Sequence, residues 1–430
     1  MHGVRGPHPG LPLAVRREPA RGLRAAAPRR HGGRPDAVRS HRRRGGGLGT
    51  PDRGPGRLGR RRPRRGRLRA APLPRRFLGP RGRRRPPGPR RPGLEDPVSL
   101  RVLAADVGGT KTNLGLFVWE RGRLRALREH TVPTAAHPGP GPLLRAFLGP
   151  DAPPPQAVGL GVAGPVVSGR AAPPNLPWTV DGGRLARDLG LDRVVLVNDL
   201  VATALGVDLV APDRIATLQA GEPDPGGNRA VIAAGTGLGQ ALLVRCGTGW
   251  HPVASEGGHA GFAPADEAEV DLLRYLAARH GAVSAERVVS GPGLAAVYRF
   301  VVDTGRAAEA PRVAAAMAGA DPAAVVGREG LAGTDPACRE ALDLWVRAYG
   351  SEAGNLALRT LATGGLYVAG GIAPKVLPRL REGGFLAAFR AKGRMAPFLE
   401  RVPVRVVLDP KAALYGAARR ALEEAGCPIG

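Results

Sequence analysis

From residue 101 onward the chain predicts an α/β fold, on two observations. Short apolar runs alternate with helical stretches along the whole segment, which implies a mixed or parallel sheet flanked by helices. Three of those runs lead straight into glycine-rich turns, where backbone must come close to something. The apolar patterning places strands at 101–106, 114–119, 158–163, 194–197, 230–234 and 241–245. Helices are expected at 183–189, 200–207, 267–280, 292–303, 339–362, 374–382 and 411–425. Gly/Pro-rich pieces at 135–142, 149–155 and 220–228 read as surface connections. The long apolar helix at 339–362, with Ala353, Gly354 and Ala357 suited to close packing, reads as core scaffold.

The first strand carries the most specific local signal. Leu103 to Phe117 reads LAADVGGTKTNLGLF: an apolar run ends in Asp106, a glycine pair and Thr110 follow, and alternation resumes at Leu114. Backbone N–H groups freed by such a turn can cradle phosphate oxygens, and a carboxylate at the strand end can hold hydrated Mg²⁺. Neither the Walker lysine pattern nor G-x-G-x-x-G is present in it. An ordinary hairpin with a Gly-Gly turn explains the segment equally well by itself.

Five further segments carry chemistry. In Val195–Asp199 (VLVND) an apolar strand ends at Asn198 and Asp199, and a helix follows. Ligands bind at strand carboxyl ends in open α/β sheets. A carboxylate placed there can accept a proton from a substrate hydroxyl during phosphoryl transfer. The plain alternative is a helix N-cap, a role that both Asn and Asp fill well. Ala233–Gly239 (AAGTGLG) is a second glycine-rich turn that mirrors the first. Ser255–Phe262 (SEGGHAGF) presents Glu256 and His259 on a glycine-bounded loop, which suits adjacent sugar hydroxyls or a purely structural pair. No third ligand lies nearby for a metal. Ser284–Leu294 (SAERVVSGPGL) places Glu286 before an apolar pair and a Gly-Pro-Gly helix start, where a surface cap is the competing role. Leu366–Pro374 (LYVAGGIAP) is a third strand running into a glycine pair.

Charge divides the chain unequally. The 430 residues carry a formal charge of +28, but residues 1–100 alone hold 29 Arg, no Lys and five acidic residues. Such Arg/Gly/Pro-rich sequence, with no periodic apolar face, cannot bury enough surface to offset the entropy of ordering it. Residues 1–97 are therefore expected to be a disordered leader. A nucleic-acid-binding arm and a transit peptide compete with a third reading, GC-rich DNA translated upstream of the true start. The last is favoured, with an alternative start at Val98, because lysine is wholly missing from the leader. Cys246, Cys338 and Cys427 have no zinc or disulfide spacing, which fits a reducing cytoplasm. No apolar run approaches the roughly 20 residues that span a bilayer, so no membrane partner is expected.

Taken together, the six motifs resemble the bacterial glucokinase family across roughly residues 101–425, in collinear order. They are unlike the repressor-related branch of sugar kinases, whose cysteine-rich zinc motif has no counterpart here. The resemblance implies a two-lobed, ribonuclease-H-like (actin-like ATPase or hexokinase) α/β fold with a central cleft. The small lobe would comprise 98–208 plus 409–430, and the large lobe 209–408. By the same resemblance Asp199 is the catalytic base toward the 6-hydroxyl of D-glucose. Asn198 would bond the 3- and 4-hydroxyls, and Glu256, His259 and Glu286 the 1-, 2- and 3-hydroxyl edge. Asn175 is a further sugar ligand, assigned from the segment Asn175-Leu176-Pro177-Trp178. The phosphates of ATP would lie on Gly108, Gly109, Thr110, Gly235, Thr236 and Gly237, with Asp106 near Mg²⁺. Gly370 and Gly371 correspond to the adenine-side turn.

A cytoplasmic enzyme follows from that reading, with no nucleic acid expected for 98–430 and a homodimer compatible with it. Its rivals are a kinase for another hexose or an amino sugar, a catalytically silent sugar-sensing regulator, and a nucleic-acid-binding protein acting through the leader. Retention of Asp199 and the glycine turns argues against the silent regulator.

Overall fold

A first five-stranded sheet is laid down almost in chain order. The computed structural model describes residues 99–430, apart from 151, 174, 175, 248, 428 and 430. The leader expected at 1–97 and the sugar ligand expected at Asn175 lie outside the described residues. Strand β1 (Leu100–Val107), β2 (Lys111–Glu120) and β3 (Arg123–Pro133) form an antiparallel meander, and helix α1 (Pro140–Leu148) follows. Strand β4 (Ala157–Val162) then pairs parallel to β1. A small ribbon, β5 (Val166–Val167), β6 (Arg170–Ala171) and β7 (Val180–Asp181), leads into α2 (Gly182–Leu189). Strand β8 (Val195–Asn198) pairs parallel to β4, and α3 (Asp199–Gly206) begins at once. The strand order is β3-β2-β1-β4-β8.

The second sheet repeats this plan. After β9 (Ile215–Gln219) come the antiparallel strands β10 (Arg229–Ala234), β11 (Leu238–Cys246) and β12 (Gly249–Ser255). A helical block follows: α4 (Glu267–His280), α5 (Gly291–Asp303), α6 (Pro311–Gly319), α7 (Pro322–Ala332) and the 25-residue α8 (Pro336–Thr360). Strand β13 (Gly365–Ala369), helices α9 (Leu377–Arg381), α10 (Gly384–Arg390) and α11 (Ala396–Arg401), strand β14 (Val404–Val407) and α12 (Ala412–Glu424) close the chain. The sheet order is β12-β11-β10-β13-β14-β9, with β13 parallel to both β10 and β14. Each sheet therefore holds an antiparallel meander followed by two parallel strands. The glycine turns at 108–110 and 235–237 occupy the equivalent first hairpin of each.

Two helices join the halves. Helix α3 contributes Val201, Ala202 and Leu205 to an apolar cluster that also contains Val231 and Leu243 of the second sheet. Helix α12 crosses α3 at unusually short range, and two glycines permit the crossing. A Cβ on Gly416 would stand 1.7 Å from the Ala202 carbonyl oxygen, and one on Gly206 1.8 Å from that of Ala412. The other face of α12 packs against β1 and β4 through Leu414, Ala417, Ala418 and Ala421. The largest core lies around α8, where Trp345, Tyr349, Phe385 and Phe389 are fully buried, in keeping with a scaffold role.

All six expected strands and all seven expected helices form, with ends moved by a few residues. The helix expected at 374–382 is shorter, because residues 370–376 make turns before α9 begins. Among the elements not expected, which include β9, β12, β14, α6, α7, α10 and α11, is β3, whose side chains are all exposed or half-buried and so lack apolar alternation. It is an edge strand held by backbone pairing to β2, and only that pairing makes it a strand. The connection expected at 135–142 ends in α1, whose first turn contains two prolines in a position that helices tolerate.

Candidate active site

The carboxyl ends of the parallel strands β1, β4 and β8 carry the two aspartates. Asp106 lies near the end of β1, and Asp199 is the first residue of α3, directly after β8. Burial raises the Asp106 carboxyl above its ordinary value, opposed by the hydrogen bond from Asn113 Nδ2 to Oδ2 at 3.1 Å. Asp199 is pushed up to about 6, first by burial and further by the negative charge of Asp106. The Leu200 N–H donates to Asp199 Oδ1 at 2.9 Å and works against that rise.

Asn198 is the N-cap of α3. Its Oδ1 accepts from Leu200 N and Val201 N at 3.0 and 3.1 Å. Its Nδ2 donates to Asp199 Oδ1 at 2.9 Å and to the Gly164 carbonyl at 3.1 Å. The helix-capping role is thus real, and the same side chain fixes the orientation of Asp199.

The first glycine turn is closed by Gly108 N–H bonding to the Lys111 carbonyl at 3.1 Å. Gly109 and Thr110 are exposed at its tip. Beneath it the buried Thr134 donates from Oγ1 to the Gly108 carbonyl at 2.7 Å, and its N–H bonds the Thr110 carbonyl at 3.0 Å. Thr134 went unnoticed in the sequence, since nothing local distinguishes a bracing threonine 26 residues away.

The second turn is built from three glycine segments that converge. Gly235 N–H bonds the Gly237 carbonyl, and Gly291 N–H bonds the Gly235 carbonyl, both at 2.8 Å. Ile372 N–H reaches the Ala234 carbonyl at 3.3 Å, which brings Gly370 and Gly371 alongside. Thr236 is exposed at the tip. Behind the turn, the buried Tyr349 hydroxyl lies 3.3 Å from both Ala234 N and the Ile232 carbonyl oxygen. Read along α8, Tyr349 is one more core aromatic, and only the fold gives it a second task.

The acidic and imidazole groups also meet. The backbone of 260–262 pairs with 283–285, through Ala285 N–H to the Ala260 carbonyl at 2.8 Å and Phe262 N–H to the Val283 carbonyl at 2.9 Å. That pairing sets His259 between two carboxylates, with Nε2 3.8 Å from Glu256 Oε2 and Nδ1 3.8 Å from Glu286 Oε1. Glu286 Oε2 accepts the Leu238 N–H at 2.8 Å, immediately after the second glycine turn. Among the described residues no group of three or more His, Cys, Asp or Glu side chains is arranged to hold a metal. No helix of the described residues is long and apolar enough to cross a membrane.

The glucokinase family model matches residues 103–424. The chain is 41% identical to the glucokinase of Nostoc punctiforme over 332 residues, covering 74% of this chain and 97% of that protein. Against the Synechocystis glucokinase it is 39% identical over 347 residues, covering 75% and 98%. Among solved structures, a glucokinase from an Antarctic psychrotroph superposes with a TM-score of 0.68 at 30% identity, covering 75% of this chain and 99% of that one. A glucokinase from Balamuthia mandrillaris, solved in complex with glucose, shares the fold at 21% identity and a TM-score of 0.62, with coverage of 75% and 94%. The fold is the two-lobed actin-like ATPase fold of the sugar kinases, and the chain belongs to the bacterial glucokinase family.

Proposed function

We propose that the chain transfers the terminal phosphoryl group of ATP to the 6-hydroxyl of D-glucose, with Asp199 accepting the hydroxyl proton. The observation that carries this role is the position of Asp199 directly after strand β8, its carboxylate held by Asn198 and the Leu200 N–H, where burial and the charge of Asp106 push it up to about 6. A base of that strength is largely ionised at neutral pH yet holds a proton better than an ordinary aspartate. Asn198 and the Leu200 N–H keep the carboxylate aimed while it works.

The donor set fits Mg²⁺ arriving with ATP. Asp106 offers a hard oxygen, and the repulsion it exerts on Asp199 is a setting that a divalent cation relieves. Bound there, Mg²⁺ would supply charge neutralisation along the transferring phosphoryl group. The turns Gly108-Gly109-Thr110 and Gly235-Thr236-Gly237, exposed at Gly109, Thr110 and Thr236, would hold phosphate oxygens. Gly370 and Gly371 would face the adenine side. Glu256, His259 and Glu286 would bond the far hydroxyl edge of the sugar, and Asn198 its middle once its bond to Gly164 is exchanged. Positioning and water exclusion then provide most of the acceleration.

In this reading the small lobe is 98–208 with 409–430, the large lobe is 209–408, and sugar binding closes them. The enzyme works in the cytoplasm, a setting suited to the free cysteines Cys246, Cys338 and Cys427. The test is ADP release by the purified chain with a panel of hexoses and amino sugars. D-glucose should have the highest kcat/KM, and a clear preference for another sugar would replace it as the substrate.

A further inference from the structure

We infer that Gln240 and Glu352 are positioning residues that seat the loop carrying Glu256 and His259, and so set selectivity for the sugar hydroxyls. This rests on the sugar-binding reading of those two side chains. Neither is held by its own packing: their side chains are 70% and 63% exposed, and the nearest charged groups are at 3.8 Å, too far for a hydrogen bond. What aims them must therefore be the backbone between them.

That backbone sits directly on β11. A Cβ on Gly257 would stand 2.2 Å from Gln240 Oε1, and one on Gly258 1.9 Å from the Leu238 carbonyl oxygen. The cross-strand neighbour of Gln240 is Ser255, whose Oγ accepts the Gly257 N–H at 3.0 Å. The floor of the loop is thus the Gln240 carboxamide together with Ser255.

Gln240 is itself fixed from below. It is only 2% exposed, and its Nε2 donates to Glu352 Oε1 at 2.9 Å. Glu352 lies in the middle of α8, and its two oxygens also accept from Asn355 Nδ2 and Arg359 Nη1, each at 3.0 Å. An ionised carboxylate only accepts hydrogen bonds, so it holds the NH₂ end of the amide down and turns the amide oxygen toward Gly257. A carboxylate and an amide buried together are costly unless they bond, and here the bond from Nε2 to Glu352 fixes which way the amide faces and gives the loop a single seat. Apolar residues of equal size would fill the space without dictating that orientation.

The test compares Gln240→Met, Glu352→Leu, Glu352→Gln and His259→Ala in the full chain, by ADP release with D-glucose and with 2-deoxy-D-glucose. Gln240→Met and Glu352→Leu should raise the glucose KM about tenfold, the scale of one lost hydrogen bond, with kcat within about threefold and the ATP KM unchanged. Both should narrow the preference for glucose over 2-deoxyglucose. Glu352→Gln keeps a carbonyl acceptor for Gln240 and should return the glucose KM to within about threefold of the parent. A parental glucose KM in Gln240→Met, or an equal rise in the ATP KM, overturns the inference. If Gln240→Met fails to fold, Gln240→Asn decides on the same criteria. His259→Ala separates the two levels: an unchanged glucose KM there removes the sugar-site reading itself. A raised KM in His259→Ala beside a parental Gln240→Met removes only the seat.

Discussion

Glu286 and Leu238 are joined by a hydrogen bond of 2.8 Å from the Leu238 N–H to Glu286 Oε2, while the other oxygen of the same carboxylate lies 3.8 Å from His259 Nδ1. One side chain thus connects the loop assigned to the sugar with the turn assigned to the phosphates. Replacing Glu286 by Gln preserves an acceptor for Leu238 and removes the charge, so the glucose KM should rise while the ATP KM holds. Glu286→Ala leaves the Leu238 donor without its partner, and both constants should rise. Steady-state kinetics with each substrate varied checks the pair; an unchanged glucose KM with a raised ATP KM in Glu286→Gln would reverse the lobe assignment.

Asp199→Asn should lower kcat by ~10²–10⁴, the usual contribution of a positioned base, with the fold intact. The same change removes a charge that burial and Asp106 disfavour, so thermal stability should rise. The gain at neutral pH is on the order of 1–3 kcal/mol, readable as a higher Tm. Near-parental turnover would remove Asp199 from its role.

The pH dependence has a definite sign. Asp199 titrates near 6 in the folded chain, against 3.8 for the ordinary side chain. The folded state binds this proton more tightly, so the contribution of Asp199 to stability grows as pH falls from about 6 toward 3.8 and is lost above 6. Activity moves the opposite way, because only the ionised form accepts a proton. A plot of log kcat/KM for glucose against pH, which reports the ligand-free enzyme, should fall on the acid side of about 6 in the parent. A profile flat down to pH ~4.5 would contradict that base.

Gly416→Ala should destabilise the chain strongly. Its Cβ would meet the Ala202 carbonyl oxygen at 1.7 Å, and both partners are helix backbone, so relief requires α12 to move off α3. Overpacking of this kind costs about 1–3 kcal/mol or more, measurable by urea unfolding. Stability equal to the parent would mean that the two helices cross less closely than described.

A chain beginning at residue 98 should release ADP with the kcat and KM values of the full chain, since every proposed site residue lies beyond it. A large loss of activity on removing 1–97 would give the arginine-rich segment a part in catalysis.

Much of the architecture was legible because it rests on local rules. The turns at 108–110 and 235–237 and the strand end at Asn198 and Asp199 are signalled by glycine placement and apolar runs, and they form where expected. Illegible were elements stabilised by partners distant in the chain. Strand β3 exists through pairing with β2, and Asn198 is tied to the Gly164 carbonyl 34 residues away. The supports beneath the turns, Thr134 and Tyr349, look like any buried threonine and tyrosine.

Sequence by itself determined the chemistry available: which carboxylates, amides and glycine turns exist, and which strand ends or loops carry them. Tertiary structure alone decided how those groups act on one another. It set the charge of Asp106 against Asp199, laid the Glu256 loop on Gln240, and brought Glu286 to the Leu238 N–H. Charge repulsion, burial and hydrogen-bond direction depend on distances through space, and residues dozens of positions apart acquire those distances only when the two sheets fold.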